Sequence, residues 1–243
     1  MARAEGVAPA VSLVIPVHNE AESLPILWEE LKPVLAGLDV SAEVIFVDDG
    51  SSDGSDTVLR RLADADARVR SVHLRARRGV STAYHAGFEA ARGETIVTLD
   101  ADLQIDPRDI PAMLAAVTTA DAAVGWRQQR HDSPAKRMAS RIANSIRRRV
   151  IGDRFHDGAC SLRVMSRACV AALPPYDGMH RFVAPLLTSA GFRVVEVPVA
   201  HRARRYGRSK FGILDRARRT VLDLLAVRWM LARRLSRAPA DRG

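Results

Sequence analysis

The stretch Glu94-Thr-Ile-Val-Thr-Leu-Asp-Ala-Asp-Leu-Gln-Ile-Asp-Pro107 decides the fold. Thr95 to Leu99 are β-branched or apolar, which predicts a buried strand. The strand runs into Asp100, Ala101 and Asp102. Side chains alternate along a strand, so Asp100 and Asp102 point to the same side. Two carboxylates side by side repel, and the pair reads in two ways. Either both cap the helix that Pro107 starts near Arg108, or they hold a hard divalent cation, magnesium or manganese, together with substrate phosphates. Gln104 adds a neutral oxygen to the second reading, so the candidate ligand set is Asp100, Asp102 and Gln104.

Working outward, the chain before this stretch alternates strand and helix. Val11 to Val17 is a first strand with His18-Asn19-Glu20 at its end, and Asn19 is a candidate N-cap for a helix over 20–37. Glu43 to Val47 is a second strand. It ends in Asp48-Asp-Gly-Ser-Ser-Asp-Gly-Ser55, a run of turn and cap residues that leads into a helix ending near Ala65. Strand Val69–Leu74, a helix over 80–91 and the Asp-Ala-Asp strand follow, then a helix over 108–119 and a strand over 121–125. This alternation predicts an α/β fold: a mostly parallel sheet with helices on both faces. Ligands bind such sheets outside the carboxyl ends of the strands, where Glu20, Asp48, Asp49, Asp100 and Asp102 all fall. Asp53 and Asp56 are read as helix caps. The second half departs from the alternation. A basic helix is expected over 133–151, a loop entering a strand over 155–165, a helix over 179–190, a strand over 193–199, a polar basic loop, and a long amphipathic helix from Ile213 to Leu235.

The Gly-x-Gly-x-x-Gly fingerprint and the Walker loop are both absent, so neither NAD nor ATP chemistry is expected. The two cysteines, Cys160 and Cys169, lack metal-ligand spacing and are expected to be reduced thiols. No signal peptide is read at the N-terminus, and no uncharged apolar run reaches the length of a membrane span. The net charge of +9 is unevenly placed. Residues 126–154 carry nine Lys/Arg against Asp132 and Asp153, and residues 201–243 carry thirteen against Asp215, Asp223 and Asp241. Two basic segments on an otherwise acidic chain imply anionic partners at fixed places. Aromatic residues make up only 5%, and no helix-turn-helix or RNA-binding motif appears, so nucleic acid is not the expected partner.

Ser12-Leu-Val-Ile-Pro-Val-His-Asn-Glu20, Val47-Asp-Asp-Gly-Ser-Ser-Asp-Gly-Ser55 and Leu99-Asp-Ala-Asp-Leu-Gln104 resemble, in order and spacing, three blocks of family 2 glycosyltransferases with the GT-A fold. Gly125-Trp-Arg127, the Lys136–Asn144 stretch, Asp157–Arg163, Met179–Phe182 and Arg204–Gly212 resemble the dolichyl- and polyprenyl-phosphate branch, whose prototype is dolichyl-phosphate mannose synthase. The resemblance spans residues 10–230. It implies that a sugar passes, with inversion, from a nucleotide-diphospho-sugar to a polyprenyl phosphate. The ion at Asp100, Asp102 and Gln104 would neutralise the departing diphosphate. Glu20 and Asp49, with Asp48 beside them, would hold base and ribose, and Pro16, Val17 and Ala101 would line the donor pocket. Arg127, Arg137, Ser140 and Arg141 would hold the acceptor phosphate. Arg204 and Lys210 would sit in a loop closing over both phosphates, with Gly207 as its bend.

Asp157 matches a residue proposed as a base in relatives. A phosphate monoester is already anionic near neutral pH, so Asp157 is read either as base or as an orienter of acceptor or sugar. Arg147, Arg148 and Arg149 are read as a solvated basic helix face, and the lone histidines as structural. His18 stands where relatives commonly carry an aromatic residue. The catalytic domain is expected over 8–200, a basic loop and membrane-proximal helix over 201–235, and a disordered tail over 236–243. The C-terminal helix mixes Leu, Val and Trp229 with arginines, as helices at a membrane interface do. That predicts a peripheral protein on the cytoplasmic membrane face, with a separate integral-membrane partner as a further possibility. The alternatives are the same donor chemistry on a hydroxyl acceptor and, more remotely, a non-catalytic adaptor that kept the fold.

Overall fold

A computed structural model describes residues 8–128, 134–203 and 213–234. Seven strands form one sheet in the order β3-β2-β1-β4-β6-β5-β7: β1 (Val11–Val17), β2 (Ala42–Asp48), β3 (Val69–His73), β4 (Thr95–Thr98), β5 (Ala122–Arg127), β6 (Arg163–Ser166) and β7 (Val194–Val199). Strands β1 to β4 run parallel, β5 pairs parallel with β7, and β6 runs antiparallel between β4 and β5. The strand order reverses between β1 and its neighbours β2 and β4. That crevice at the carboxyl ends is where a doubly wound sheet takes its ligand.

The strands read as near-continuous apolar runs because both faces are covered. Leu13 and Ile15 of β1 join Phe46 and Leu99 on one face, under α1 (Leu24–Ala36). Val14, Ile45 and Ile96 face the other way, under α3 (Val80–Ala90), α7 (Val183–Ser189) and α8 (Ile213–Ala232). Helix α3 lies hard against the sheet at Gly87, where a Cβ would sit 2.2 Å from the Val14 Cγ1. A side chain there would force the helix away from β1.

Several boundaries differ from the sequence reading for local reasons. Asn19 is not an N-cap. It adopts a left-handed conformation (φ 55°), its side chain accepts from the Ser52 N–H, and its own N–H donates to Ser51 Oγ. Helix α1 therefore starts at Leu24, with Ser23 at the cap position. Helix α2 (Ser55–Ala65) starts after Gly54, and Asp53 accepts from the Ser55 N–H and the Ala21 N–H instead of standing at the cap itself. Asp56 lies inside the first turn and faces Arg60. The helix expected over 108–119 is a 3₁₀ turn, Pro107–Asp109, continued by a short α4 (Ile110–Ala116). The one expected over 179–190 breaks at Phe182 into a 3₁₀ turn, Met179–Arg181, and α7. Helix α6 (Arg167–Ala172), capped by Ser166 Oγ, follows β6 with no counterpart in the sequence reading. Helix α5 (Pro134–Ile151) occupies the predicted basic segment. Both cysteines are buried and free. The basic loop carrying Arg204, Gly207 and Lys210 lies outside the described residues, as does the tail, and no helix among the described residues is long and apolar enough to cross a membrane.

Candidate active site

The ends of β1, β2 and β4 bring the first group of predicted residues together. The β2 register sets Pro16 beside Val47 and Val17 beside Asp48. The Val17 carbonyl accepts the Asp49 N–H at 2.8 Å. Glu20 donates its N–H to Ser55 Oγ and accepts from the Ser23 hydroxyl. Asp48 and Asp49 are both buried. Asp48 Oδ1 accepts from the Ser51 N–H, and its Oδ2 lies 3.4 Å from His73 Nδ1. The two Asp49 oxygens accept from the Arg78 N–H at 2.5 Å and the Gly79 N–H at 2.8 Å. Asp49 thus fastens the loop ahead of α3, and a nucleoside would reach it only through its remaining lone pairs.

Beyond β4 the chain folds tightly. Ala101 and Leu103 point into the core, and Leu103 holds a left-handed backbone (φ 60°). A branched residue in that region marks a backbone overdetermined by its surroundings. Asp102 Oδ1 accepts from the Gln104 N–H at 3.2 Å, and the Gln104 carbonyl accepts from the Arg202 N–H. Asp100 Oδ1 accepts from the Tyr84 hydroxyl at 3.2 Å, while the Asp100 N–H donates to Ser161 Oγ. Burial raises the Asp100 carboxyl from its ordinary value, the Asp102 charge adds to it, and Arg163 opposes it. A paired, half-buried acid under that repulsion suits a divalent cation, which would relieve it. No group of three or more His, Cys, Asp or Glu is gathered to hold a metal among the described residues.

Sequence reasoning gave no role at this site to four residues: it passed over Tyr84, quoted Ser161 and Arg163 only within the Asp157–Arg163 block, and read His201 as structural. Tyr84 comes from α3, and Ser161 and the buried Arg163 come from the β6 arm. His201, also buried, pairs at the backbone with Ile105, and its Nε2 lies 3.4 Å from Gln104 Nε2. Chain crossings that only the fold supplies bring them beside Asp100 and Gln104.

The second group gathers at the end of β5. The sequence reading has Arg127 offering its planar fork to a phosphate. In the structure that fork grips Asp157: Nε donates to Oδ2 at 2.6 Å and Nη2 to Oδ1 at 3.0 Å. Burial depresses the Arg127 guanidinium, and the Asp157 carboxylate more than offsets that, leaving its pKa raised. Asp157 Oδ1 also accepts the Ala159 N–H at 3.1 Å, so both oxygens are in use. Trp126 stacks on His156 at 4.3 Å between centroids, and Glu196 of β7 accepts from the His156 N–H and lies 2.7 Å from His156 Nδ1. Arg137 and Ser140 lie on α5, but their side chains fall outside the described residues, and Arg141 is exposed. Of the three α5 arginines read as solvated, Arg148 and Arg149 are exposed, whereas Arg147 is buried against Asp153.

The fold with this site defines a GT-A glycosyltransferase. Residues 12–173 match the profile of glycosyl transferase family 2, and the chain belongs to that family. It is 35% identical over 227 residues to dodecaprenyl-phosphate galacturonate synthase of Rhizobium johnstonii, covering 91% of this chain and 67% of that protein. It is 38% identical over 209 residues to undecaprenyl-phosphate 4-deoxy-4-formamido-L-arabinose transferase of Edwardsiella ictaluri, covering 84% and 63%. The chain thus spans about two thirds of the length of these relatives. Among solved structures, glucosyl-3-phosphoglycerate synthase of Mycobacterium tuberculosis with Mn²⁺, UDP-glucose and phosphoglyceric acid superposes with a TM-score of 0.67 at 20% identity, covering 91% of this chain and 80% of that one. Mannosyltransferase PcManGT of Pyrobaculum calidifontis with GDP-Man and Mn²⁺ gives 0.62 at 22% identity, covering 96% and 66%.

Proposed function

We propose that the chain transfers a single sugar from a nucleotide-diphospho-sugar to a polyprenyl phosphate, with inversion. The observation that carries the acceptor is the bidentate Arg127–Asp157 pair. The Asp157 carboxylate, the candidate base at this end of the sheet, has both oxygens on Arg127 and Ala159. A hydroxyl acceptor needs a base to take its proton, whereas a phosphate monoester, with a second pKa of about 6, is already anionic. Relatives named for dodecaprenyl and undecaprenyl phosphate support the same choice.

In this reading Asp102, Asp100 and Gln104 hold Mg²⁺ or Mn²⁺ together with the donor diphosphate. The ion supplies Lewis-acid stabilisation of the charge on the departing nucleoside diphosphate. Tyr84 and Ser161 hold Asp100 through its Oδ1 and its backbone N–H. Glu20, Asp48, Asp49 and the Pro16–Val17 backbone bound the nucleoside. Asp157 orients Arg127, whose remaining N–H groups meet the acceptor phosphate with Arg137 and Ser140. The catalytic unit is residues 8–200, and 201–235 form its membrane-proximal extension.

A membrane surface as partner is supported by where exposed apolar side chains fall. Met138, Ile142 and Ile146 on α5 and Val221, Leu222, Leu225 and Trp229 on α8 are 49–61% exposed, at helical spacing, on two helices that pack together. Arg141, Arg148 and Arg149 on α5 and Arg233 stacked on Trp229 flank them with charge suited to anionic headgroups. The protein then works peripherally at the cytoplasmic face, alone or beside an integral-membrane partner.

The test is a transfer assay with undecaprenyl phosphate, magnesium or manganese, and labelled UDP- and GDP-sugars, extracted into organic solvent. Label in the organic phase that is lost with chelator and in Asp102→Ala is the expected result. Transfer only to hydroxyl-bearing acceptors overturns the acceptor assignment.

A further inference from the structure

Helix α5 carries a buried ion pair that none of the roles above uses. Arg147 and Asp153 have side chains 7% and 4% exposed, with Nη2 3.2 Å from Oδ1. Arg147 Nη2 also donates to the Phe155 carbonyl. Arg147 Nε and Nη1 and Asp153 Oδ2 are buried with no hydrogen-bond partner. Burial pulls the arginine below its usual range against the charges of Asp153, Asp157 and Glu196. It pushes Asp153 up against the charge of Arg147. Three buried polar atoms of the pair thus lack a hydrogen bond, and a pair of that kind is poorly explained as a stabilising device.

Its position explains it better. The loop from Asp153 to Ala159 is fastened at successive points. Asp153 Oδ1 accepts the Phe155 N–H, Arg147 holds the Phe155 carbonyl, Glu196 holds the His156 N–H, and Asp157 grips Arg127. Gly158 follows directly. A Cβ there would lie 1.9 Å from Arg147 Nη1, so the guanidinium lies against the backbone next to Asp157. Only a residue without a side chain leaves room for it.

We propose that Arg147 is a positioning residue. It reaches from α5 under the 153–159 loop and fixes Asp157 so that Arg127 is presented to the acceptor in one orientation. This rests on the assignment of Arg127 to acceptor binding. Three variants test it: Arg147→Gln, Arg147→Lys, and Gly158→Ala, which keeps the arginine but displaces its guanidinium. Hydrogen–deuterium exchange over 153–159 and the separate KM values for nucleotide-sugar and undecaprenyl phosphate are read for each. The expected result is faster exchange over 153–159 and an acceptor KM raised about ten- to a hundredfold in Arg147→Gln and Gly158→Ala, with the donor KM unchanged and Arg147→Lys in between. Should Arg147→Gln not fold, Gly158→Ala decides alone. Unchanged exchange in Gly158→Ala, or equal rises in both KM values, overturns the proposal. If the parent protein transfers nothing to polyprenyl phosphate, the acceptor reading fails by itself, and the exchange arm still decides whether Arg147 holds the loop.

Discussion

The two ends of the sheet manage buried carboxylates differently. At the carboxyl ends of β1 and β2, the buried Asp48 and Asp49 spend their oxygens mainly on backbone N–H groups of nearby loops, those of Ser51, Arg78 and Gly79. At the β5–β7 end the buried carboxylates face guanidiniums from other elements: Asp157 with Arg127 and Asp153 with Arg147. A backbone donor left behind by a substitution is a neutral group short of one bond, whereas a guanidinium left behind is a buried charge. The proposed donor end is therefore built to hold its shape locally. The acceptor end holds its shape only while both members of each pair are present.

The sharpest way to break this contrast acts on function alone. Asp102 is half-buried, so Asp102→Ala should leave the fold standing and remove the metal contribution. Turnover should drop by a factor of about 10² to 10³ or more, read by organic-phase label, with an unchanged thermal midpoint. A variant that keeps full activity would sink the metal assignment.

The acceptor end should show the larger stability effects. Arg127→Ala strands Asp157, whose side chain is only 4% exposed, and should cost about 3–5 kcal/mol. Asp49→Ala at the donor end strands two N–H groups and should cost about 1–3 kcal/mol. Paired denaturant titrations measure both. The contrast sharpens if Arg127→Met combined with Asp157→Leu recovers most of the loss while acceptor use stays absent, since removing both charges of a buried pair is often close to neutral.

The same division explains how much of the site is legible in the amino-acid sequence. The proposed donor residues lie in three short blocks at strand ends, so alternation and strand order suffice to bring Glu20, Asp49, Asp100 and Asp102 to one crevice. The proposed acceptor residues are joined by pairing across long separations. Arg127 and Asp157 are each visible as candidates, yet no local pattern says that they bind each other. Arg147 sits in a run of three arginines of which it alone turns inward, because the 153–158 loop leading to β6 passes beneath that one face of α5. Tyr84 and His201 escape for the same reason. Helix type is legible wherever periodicity is long, and the reading fails where a side chain takes over a backbone group, as Asn19 does with Ser52.

A smaller effect separates the surface from both ends. Trp229 and Ile142 are more than half exposed, so Trp229→Ser with Ile142→Ser should leave the thermal midpoint unchanged. Co-sedimentation with vesicles containing anionic lipid should weaken by about tenfold, within what burial of two such side chains supplies. Equal binding by parent and variant would remove the membrane from the proposed partners.

Asp106 joins the two ends, and its effect should be the smallest. It accepts from Arg108, and Arg202 beyond β7 reaches it at 2.6 Å while also gripping Glu30 of α1. Burial raises its carboxyl, but the hydrogen bonds from Arg108 and Arg202 outweigh that and lower it from 3.8 to about 2. A carboxyl whose pKa is lower folded than unfolded contributes stability that is full above the unfolded value and is lost as pH falls through the folded one. The window is therefore about pH 4 down to pH 2. Asp106→Asn removes a proton-linked group without changing the side chain's size, so thermal midpoints measured from about pH 6 to pH 3 should fall less steeply for the variant than for the parent. Parallel curves would mean that Arg202 reaches across to Glu30 alone, and that the strand carrying Asp100 and the end of β7 are held together by the backbone pairing of Ile105 with His201 and not by this charge.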